Sequence, residues 1–224
     1  MENFNFERLF ESGNTKAEEF LKGFNNIWEA LPLISDFIKE YIKTLKNNPN
    51  YEEIAPDVFV AKTAKIAKTA FIAGPTVIGE NTEVRHCAFI RGNAFVGENC
   101  VVGNSTELKN VIIFNNIQVP HYNYVGDSIL GYRSHMGAGS ITSNVKSDKT
   151  KVCVAYKNEK INTGLKKFGA ILGDFVEVGC SSVLNPGTVI EKNCNIYPLS
   201  SVRGVVPQNC IFKNASQIVI KESR

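Results

Sequence analysis

At 224 residues the chain is long enough to bury a large core without disulfides or a structural metal, as one sizeable domain with an extension or as two small domains. A formal net charge of +3 does not by itself indicate nucleic acid, which needs a clustered basic face, whereas an acidic small molecule needs only a local Lys/Arg pocket. Residues 1–12 carry Glu2, Glu7, Arg8 and Glu11 without an apolar h-region, and no run approaches a transmembrane span, so a cytoplasmic protein with no membrane contact is expected.

Residues 1–15 read as a loose start. Thr15-Lys-Ala-Glu18 is a capping box, the pattern in which a hydroxyl and a carboxylate three residues apart satisfy orphan helix-start N–H groups. Ala17, Phe20, Leu21, Phe24, Ile27, Trp28 and Leu31 follow at helical spacing. Pro32 suits the first turn of a second helix with an apolar face of Leu33, Ile34, Phe37, Ile38, Tyr41, Ile42 and Leu45. Lys46-Asn-Asn-Pro-Asn50 is a stop signal. Residues 1–50 are therefore expected to form a helical extension, a hairpin packed on its own protein, and so apolar a surface also invites a neighbouring subunit.

Then the period changes. Ile54, Val60, Ile66, Ile72, Ile78, Val84, Ile90, Val96, Val102 and Leu108 are spaced by six without a break, and Phe114 continues the series. With about a quarter of residues aliphatic, such a run occurs by chance on the order of once in 10⁶. Small residues recur between them, at Ala64, Ala70, Thr76, Thr82, Ala88, Ala94, Cys100 and Thr106. A period of six is neither helical nor simple alternation; it is the mark of a hexapeptide parallel β-helix. Each unit is a short strand and a turn with one aliphatic side chain inward, and stability comes from stacking because no coil buries its core alone.

The series stutters between Val125 and Leu130, five residues apart, then resumes at Met136 and Thr142. Residues 145–170 break out as an inserted loop, within which KVCVAYKNEKINT (151–163) reads as a β-hairpin. The period returns with Leu172, Val178, Leu184, Ile190, Ile196 and Val202, and Ile218-Val-Ile220 predicts a last strand or a short cap. The fold class expected is all-β: a left-handed parallel β-helix over 51–224, with an N-terminal two-helix extension and the hairpin loop. The six cysteines include no C-x-x-C pair and read as reduced, mostly buried small hydrophobes.

The stretch HYNYVGDSILGYRSHMGAGSITSN (121–144) carries the most specific chemistry. With GENTEVRHCAFIRGNAFVGENCVVGNSTELKN (79–110) before it, it resembles the acetyltransferase domain of the bifunctional enzymes that make UDP-N-acetylglucosamine, a hexapeptide-repeat family that acetylates glucosamine-1-phosphate from acetyl-CoA. The block H-x-x-Y-x-G-D followed by G-A-G-x-I-T-x-N carries the resemblance, over about residues 70–206. LKKFGAILGDFVEVGCSSVLNPGTVI (165–190) resembles a branch of sugar-1-phosphate nucleotidyltransferases and acetyltransferases with a hairpin insertion here. The nucleotide-binding domain and Gly-rich loop of those enzymes have no counterpart before residue 54, so no uridylyltransferase activity is expected.

The resemblance implies His121 as general base, with Glu107 orienting it. Arg91 and Lys109 match phosphate-binding positions and Tyr124 and Asn144 sugar contacts. His135 replaces a family asparagine and is the expected point of altered sugar specificity. A further family lysine falls at Lys149 or Lys151. Gly137, Ala138 and Gly139 are expected to let acetyl-CoA approach, with Cys180 in place of a family serine, Pro198 (with Ser181, Ser182 and Ser200 as weaker candidates) along pantetheine, and Arg203 at the CoA phosphates. Gly92 and Asn93 depart from the family's Pro-Gly. Acetyl transfer of this kind requires no metal, and relatives are homotrimers with sites between subunits. Three alternatives stay open: acylation of another amine, such as a nucleotide sugar or a diaminopimelate precursor; a non-catalytic scaffold or regulatory protein; and a zinc lyase, whose clustered ligands the intervals of 35 and 14 between His86, His121 and His135 do not match.

Overall fold

A computed structural model describes residues 3–222 and is built mostly of short strands wound into a parallel β-helix of about nine turns. Each coil crosses three walls. The first contains Val58–Ala61, Thr76–Ile78 and Ala94–Val96; the second Lys65–Ile66, Glu83–Val84 and Val101–Asn104; the third Phe71–Ile72 and Phe89–Ile90. The inward column of the first wall runs Val60, Ile78, Val96, Ile113, Leu130, Leu172, Ile190 and Val206 in continuous register.

That register corrects two expectations. Ile54 lies at an irregularity in the antiparallel strand Tyr51–Ala55 and is exposed, so it is not a core position. Ile113, not Phe114, pairs with Val96. The step from Leu108 is therefore five, like the step from Val125 to Leu130. Both short steps fall at the corner between the third and first walls, where the seven-residue strands Glu107–Ile113 and Tyr124–Leu130 run straight through. Asn110 and Asp127 take the left-handed backbone conformation there, at φ 54° and 49°, which short polar side chains tolerate best.

The inserted loop leaves from the same corner after Thr142 and returns at Ala170, so Ile129 pairs directly with Ile171. Its hairpin, Cys153–Tyr156 with Glu159–Asn162, forms as expected. The helix ends are closed by antiparallel partners, Tyr51–Ala55 at one end and Gln217–Ile220 at the other.

The N-terminal region departs furthest from expectation. Helix α1 (Phe6–Leu9) forms where a loose start was expected, with Asn5 accepting the Arg8 amide, and Phe4, Phe6, Leu9 and Phe10 are buried; Met1 and Glu2 lie outside the described residues. The capping box does not form: Thr15 accepts from Ala17, and Glu18 from Gly13. The first helix shrinks to α2 (Glu18–Lys22), followed by a 3-10 turn over Ile27–Leu33 that contains Pro32; α3 then spans Ile34–Leu45. No second subunit is needed to cover α3. The outward side of the first wall is a second apolar ladder, Phe59, Val77, Phe95, Ile112, Ile129, Ile171 and Val189, all buried. Phe37 and Tyr41 of α3 close on Phe95 at ring separations of 5.3 and 5.1 Å. This wall thus has apolar side chains on both sides, each burial worth about 1.5–3 kcal/mol. Arg8 ties the N-terminus to the hairpin and the late coils through Tyr156 and Glu191. Among the described residues no helix is long and apolar enough to cross a membrane.

Candidate functional site

The third wall remains uncovered by the helices. Its outward column reads Phe71, Phe89, Glu107, Tyr124, Ile141, Val183 and Ser201 in register. Two corners border it, and most of the candidate residues stand on one or the other.

The corner leading in from the second wall is a stack. Carbonyl groups of His86, Asn104, His121, Ala138 and Cys180 accept from Ser105, Tyr122, Gly139, Ser181 and Leu199 of the next coil, at 2.8–3.1 Å. His86, Asn104, His121, Ala138, Cys180 and Pro198 therefore lie one above another at the spacing of neighbouring strands, about 4.8 Å. The His121 backbone is held twice, by Gly139 and by the Asn123 side chain, and the residue is exposed. Its neighbours above in the stack are Ala138 and then Cys180. Gly139, at φ 69°, takes a left-handed turn that the other coils fill with Cys87, Ser105, Tyr122, Ser181 and Leu199.

The opposite corner is polar and tightly bonded. Asp127 is 5% exposed and accepts from Asn110 Nδ2 at 3.0 Å, from Lys109 Nζ at 3.4 Å and from the Asn144 amide. Asn144 also donates to the Tyr124 hydroxyl at 3.2 Å, and Asn110 donates to the Leu31 carbonyl. Burial, with the charges of Asp127 and Glu107 nearby, raises the Tyr124 phenol above its ordinary range, so the hydroxyl stays protonated. Gly126 makes the Tyr124 position possible: a Cβ there would sit 2.5 Å from the hydroxyl. Asp127 closes the H-x-x-Y-x-G-D block, but local spacing does not reveal its role, because its three partners come from two neighbouring coils.

Several candidates are placed otherwise than expected. Glu107 bonds Arg91 at 2.8 Å, with no bond to His121. Arg91 and Lys109 follow the paired residues Ile90 and Leu108, so they share one corner, but each already faces a carboxylate. His135 lies outward on the second wall, bonded to Glu177 at 2.8 Å, and is not brought to Tyr124 or Asn144 of the same chain. Instead it lines a hollow of about 460 Å³ with Gly137, Cys180, Pro198 and Tyr197. Arg203 bonds Asn185 at the far end of the polar corner. Lys149 and Lys151 are both exposed on the inserted loop. Among the described residues no group of His, Cys, Asp and Glu is arranged to hold a metal ion.

Residues 73–178 match the family described as the GMPPB C-terminal domain. The bifunctional protein GlmU of Methanococcus maripaludis strain C7 is 41% identical over 222 residues, covering 97% of this chain and 54% of that protein. The chain is similar to GlmU over 97% of its own length. It spans about half the length of that relative. The GlmU alignment leaves out so little of the chain that it takes in α3 and the inserted loop as well as the coils. A bifunctional sugar-1-phosphate nucleotidylyltransferase/acetyltransferase of Sulfurisphaera tokodaii is 34% identical over 109 residues, 49% of this chain and 27% of that protein. A solved hexapeptide transferase family protein from Anaplasma phagocytophilum overlaps at a TM-score of 0.48 with 17% identity, over 74% of this chain and 81% of that one.

Proposed function

We propose that the chain is an acetyl-CoA-dependent N-acetyltransferase acting on an amino-sugar 1-phosphate. The observation that carries this reading is the third wall: an exposed imidazole, His121, on one edge, and Arg91, Lys109 and Asn144 on the other, with Tyr124 between them, in a chain similar to GlmU. An amide forms when a neutral amine attacks the thioester carbonyl, the amine proton passes to a base, and the CoA sulfur leaves. His121 is that base in this reading, since an imidazole suits proton transfer near neutrality. Tyr124 and Asn144 orient the sugar. Arg91 and Lys109 receive the phosphate with the donors their carboxylates leave unused: a guanidinium has five N–H groups and an ammonium three.

The donor lies over Gly137–Gly139 and along the hollow beside Cys180 and Pro198, with Arg203 towards the CoA phosphates. His135 borders that same hollow, so in this reading it serves the donor and not the sugar within a single chain. A homotrimer belongs to the same reading: Phe71 and Phe89 are 59% and 41% exposed in the column below Glu107, an apolar strip that a second copy would cover.

The test is thiol release from acetyl-CoA with a panel of amino-sugar 1-phosphates. His121→Ala is expected to lower the rate by about 10²–10⁴ with an unchanged circular dichroism spectrum. Absence of thiol release with every member of the panel would refute the reading in favour of a non-catalytic protein.

A further inference from the structure

Two coils below His121, in the same corner stack, Thr69, His86 and Cys87 form a hydrogen-bonded chain that the acyl-transfer site does not use. Thr69 Oγ1 lies 2.6 Å from His86 Nδ1, and His86 Nε2 lies 3.2 Å from Cys87 Sγ. Thr69 Oγ1 also accepts the Cys87 amide N–H, at 3.3 Å. A hydroxyl oxygen has two acceptor lone pairs, so it can take the Cys87 N–H and the Nδ1–H together. In the tautomer with the ring proton on Nδ1, Thr69 accepts that proton and the Nε2 lone pair faces the thiol. Nucleophile, base and a third group that orients the base are the parts an activated nucleophile needs.

The surroundings suit a ligand. Cys87 is exposed, whereas Cys100, Cys194 and Cys210 are buried. Beside His86 lies a hollow of about 450 Å³ lined by Lys65, Glu83, Arg85, His86 and Asn104. Arg85 is engaged by Glu83 at 2.9 Å. Asn104 also lines this hollow, and its side-chain oxygen is buried without a hydrogen-bond partner. A ligand with an amide N–H for Asn104 and a carboxylate for Lys65 would complete the hollow.

We propose that Cys87 is a nucleophilic thiol, activated by His86 and Thr69, that exchanges with small disulfides carrying amide and carboxylate groups. The thiol proton passes to His86 Nε2. The thiolate attacks one sulfur of the disulfide, a new S–S bond to Cys87 forms, and the original S–S bond breaks. The second sulfur leaves as a thiolate and takes up a proton from the imidazolium, so no other oxidant is involved. The product is a mixed disulfide at Cys87.

The experiment uses the full chain with oxidised glutathione as the exchange probe and iodoacetamide as a neutral alkylating probe, each site read by peptide mass spectrometry. Cys180 is also exposed but has no imidazole hydrogen bond among the described residues, so it is the internal reference. A base held at hydrogen-bond distance takes the thiol proton as the sulfur attacks. Cys87 is therefore expected to react roughly threefold to tenfold faster than Cys180 at pH 7. His86→Gln is expected to remove that advantage while leaving Cys180 unchanged, and Thr69→Val to reduce it. Equal rates at the two cysteines in the unmutated chain, an unreactive Cys87, or an unchanged ratio in folded His86→Gln would each overturn the proposal. The comparison within the unmutated chain holds even if a variant does not fold.

Discussion

Asp127→Asn tests the polar corner directly. The carboxylate is buried and serves three donors, from Lys109, Asn110 and Asn144. Changing one oxygen to an NH₂ turns an acceptor into a donor that faces other donors, without changing the volume. A lost hydrogen bond to a charged group costs about 1.5–3 kcal/mol, and the unpaired partner adds to it. Lys109 is 26% exposed and can turn to water, which limits its share. The sum is about 3 kcal/mol, equivalent to roughly 10 °C in Tm for a chain of this size. Thermal unfolding followed by circular dichroism measures it. A double-mutant cycle with Asn144→Ala isolates the pair and is expected to give a coupling of about 1–2 kcal/mol. A stability within about 0.5 kcal/mol of the unmutated chain, with additive effects of the two changes, would refute the network.

Three further outcomes follow from other parts of the fold. Gly126→Ala places a methyl against the Tyr124 hydroxyl; the ring end yields before the backbone does, so acetyl transfer should fall about tenfold or more with little change in Tm, and normal kinetics would remove Tyr124 from the site. Phe95→Ala opens a cavity between α3 and the first wall and should cost about 3–5 kcal/mol by denaturant unfolding; a loss below about 1 kcal/mol would mean α3 is not seated there. Burial pushes the Asp174 carboxyl up to about 6, although it accepts from the Glu11 and Tyr132 amides. A folded value above the unfolded one means the contribution is complete below about pH 4 and lost as pH rises through 6, about 3 kcal/mol in all. Asp174→Asn should flatten that part of the pH–stability curve, and an unchanged slope between pH 4 and 6 would assign it to other groups.

The β-helix was legible because inward positions answer to burial alone. An aliphatic residue every sixth position points to the axis whatever its neighbours are, so Val60 to Leu108 could be read from the chain, and Leu172 to Val202 after it. The inserted hairpin was legible as the place where that rule lapses. Phe114 and Ile54 show the limit: periodicity counts residues, whereas register depends on whether a corner takes six residues or five, and that follows from backbone conformation at Asn110 and Asp127. The apolar stripe of α3 announced that something would cover it. That its cover is the outer ladder around Phe95 follows only from folding, because neither stripe carries the address of the other.

The site divides in the same way. The sequence by itself determined which chemical groups are present in HYNYVGDSILGYRSHMGAGSITSN and in the coils before it. The tertiary structure decided which of them meet. Partners stacked in a β-helix lie about one coil apart in sequence, as Lys109 and Asp127 do, or much further across the insertion, as His135 and Glu177 do. Local spacing therefore does not reveal that Asp127 gathers Lys109, Asn110 and Asn144, that Glu107 serves Arg91, or that His135 stands on another wall. Thr69 and His86 are seventeen residues apart, and only the winding of the coil brings this threonine, histidine and cysteine into one hydrogen-bonded chain.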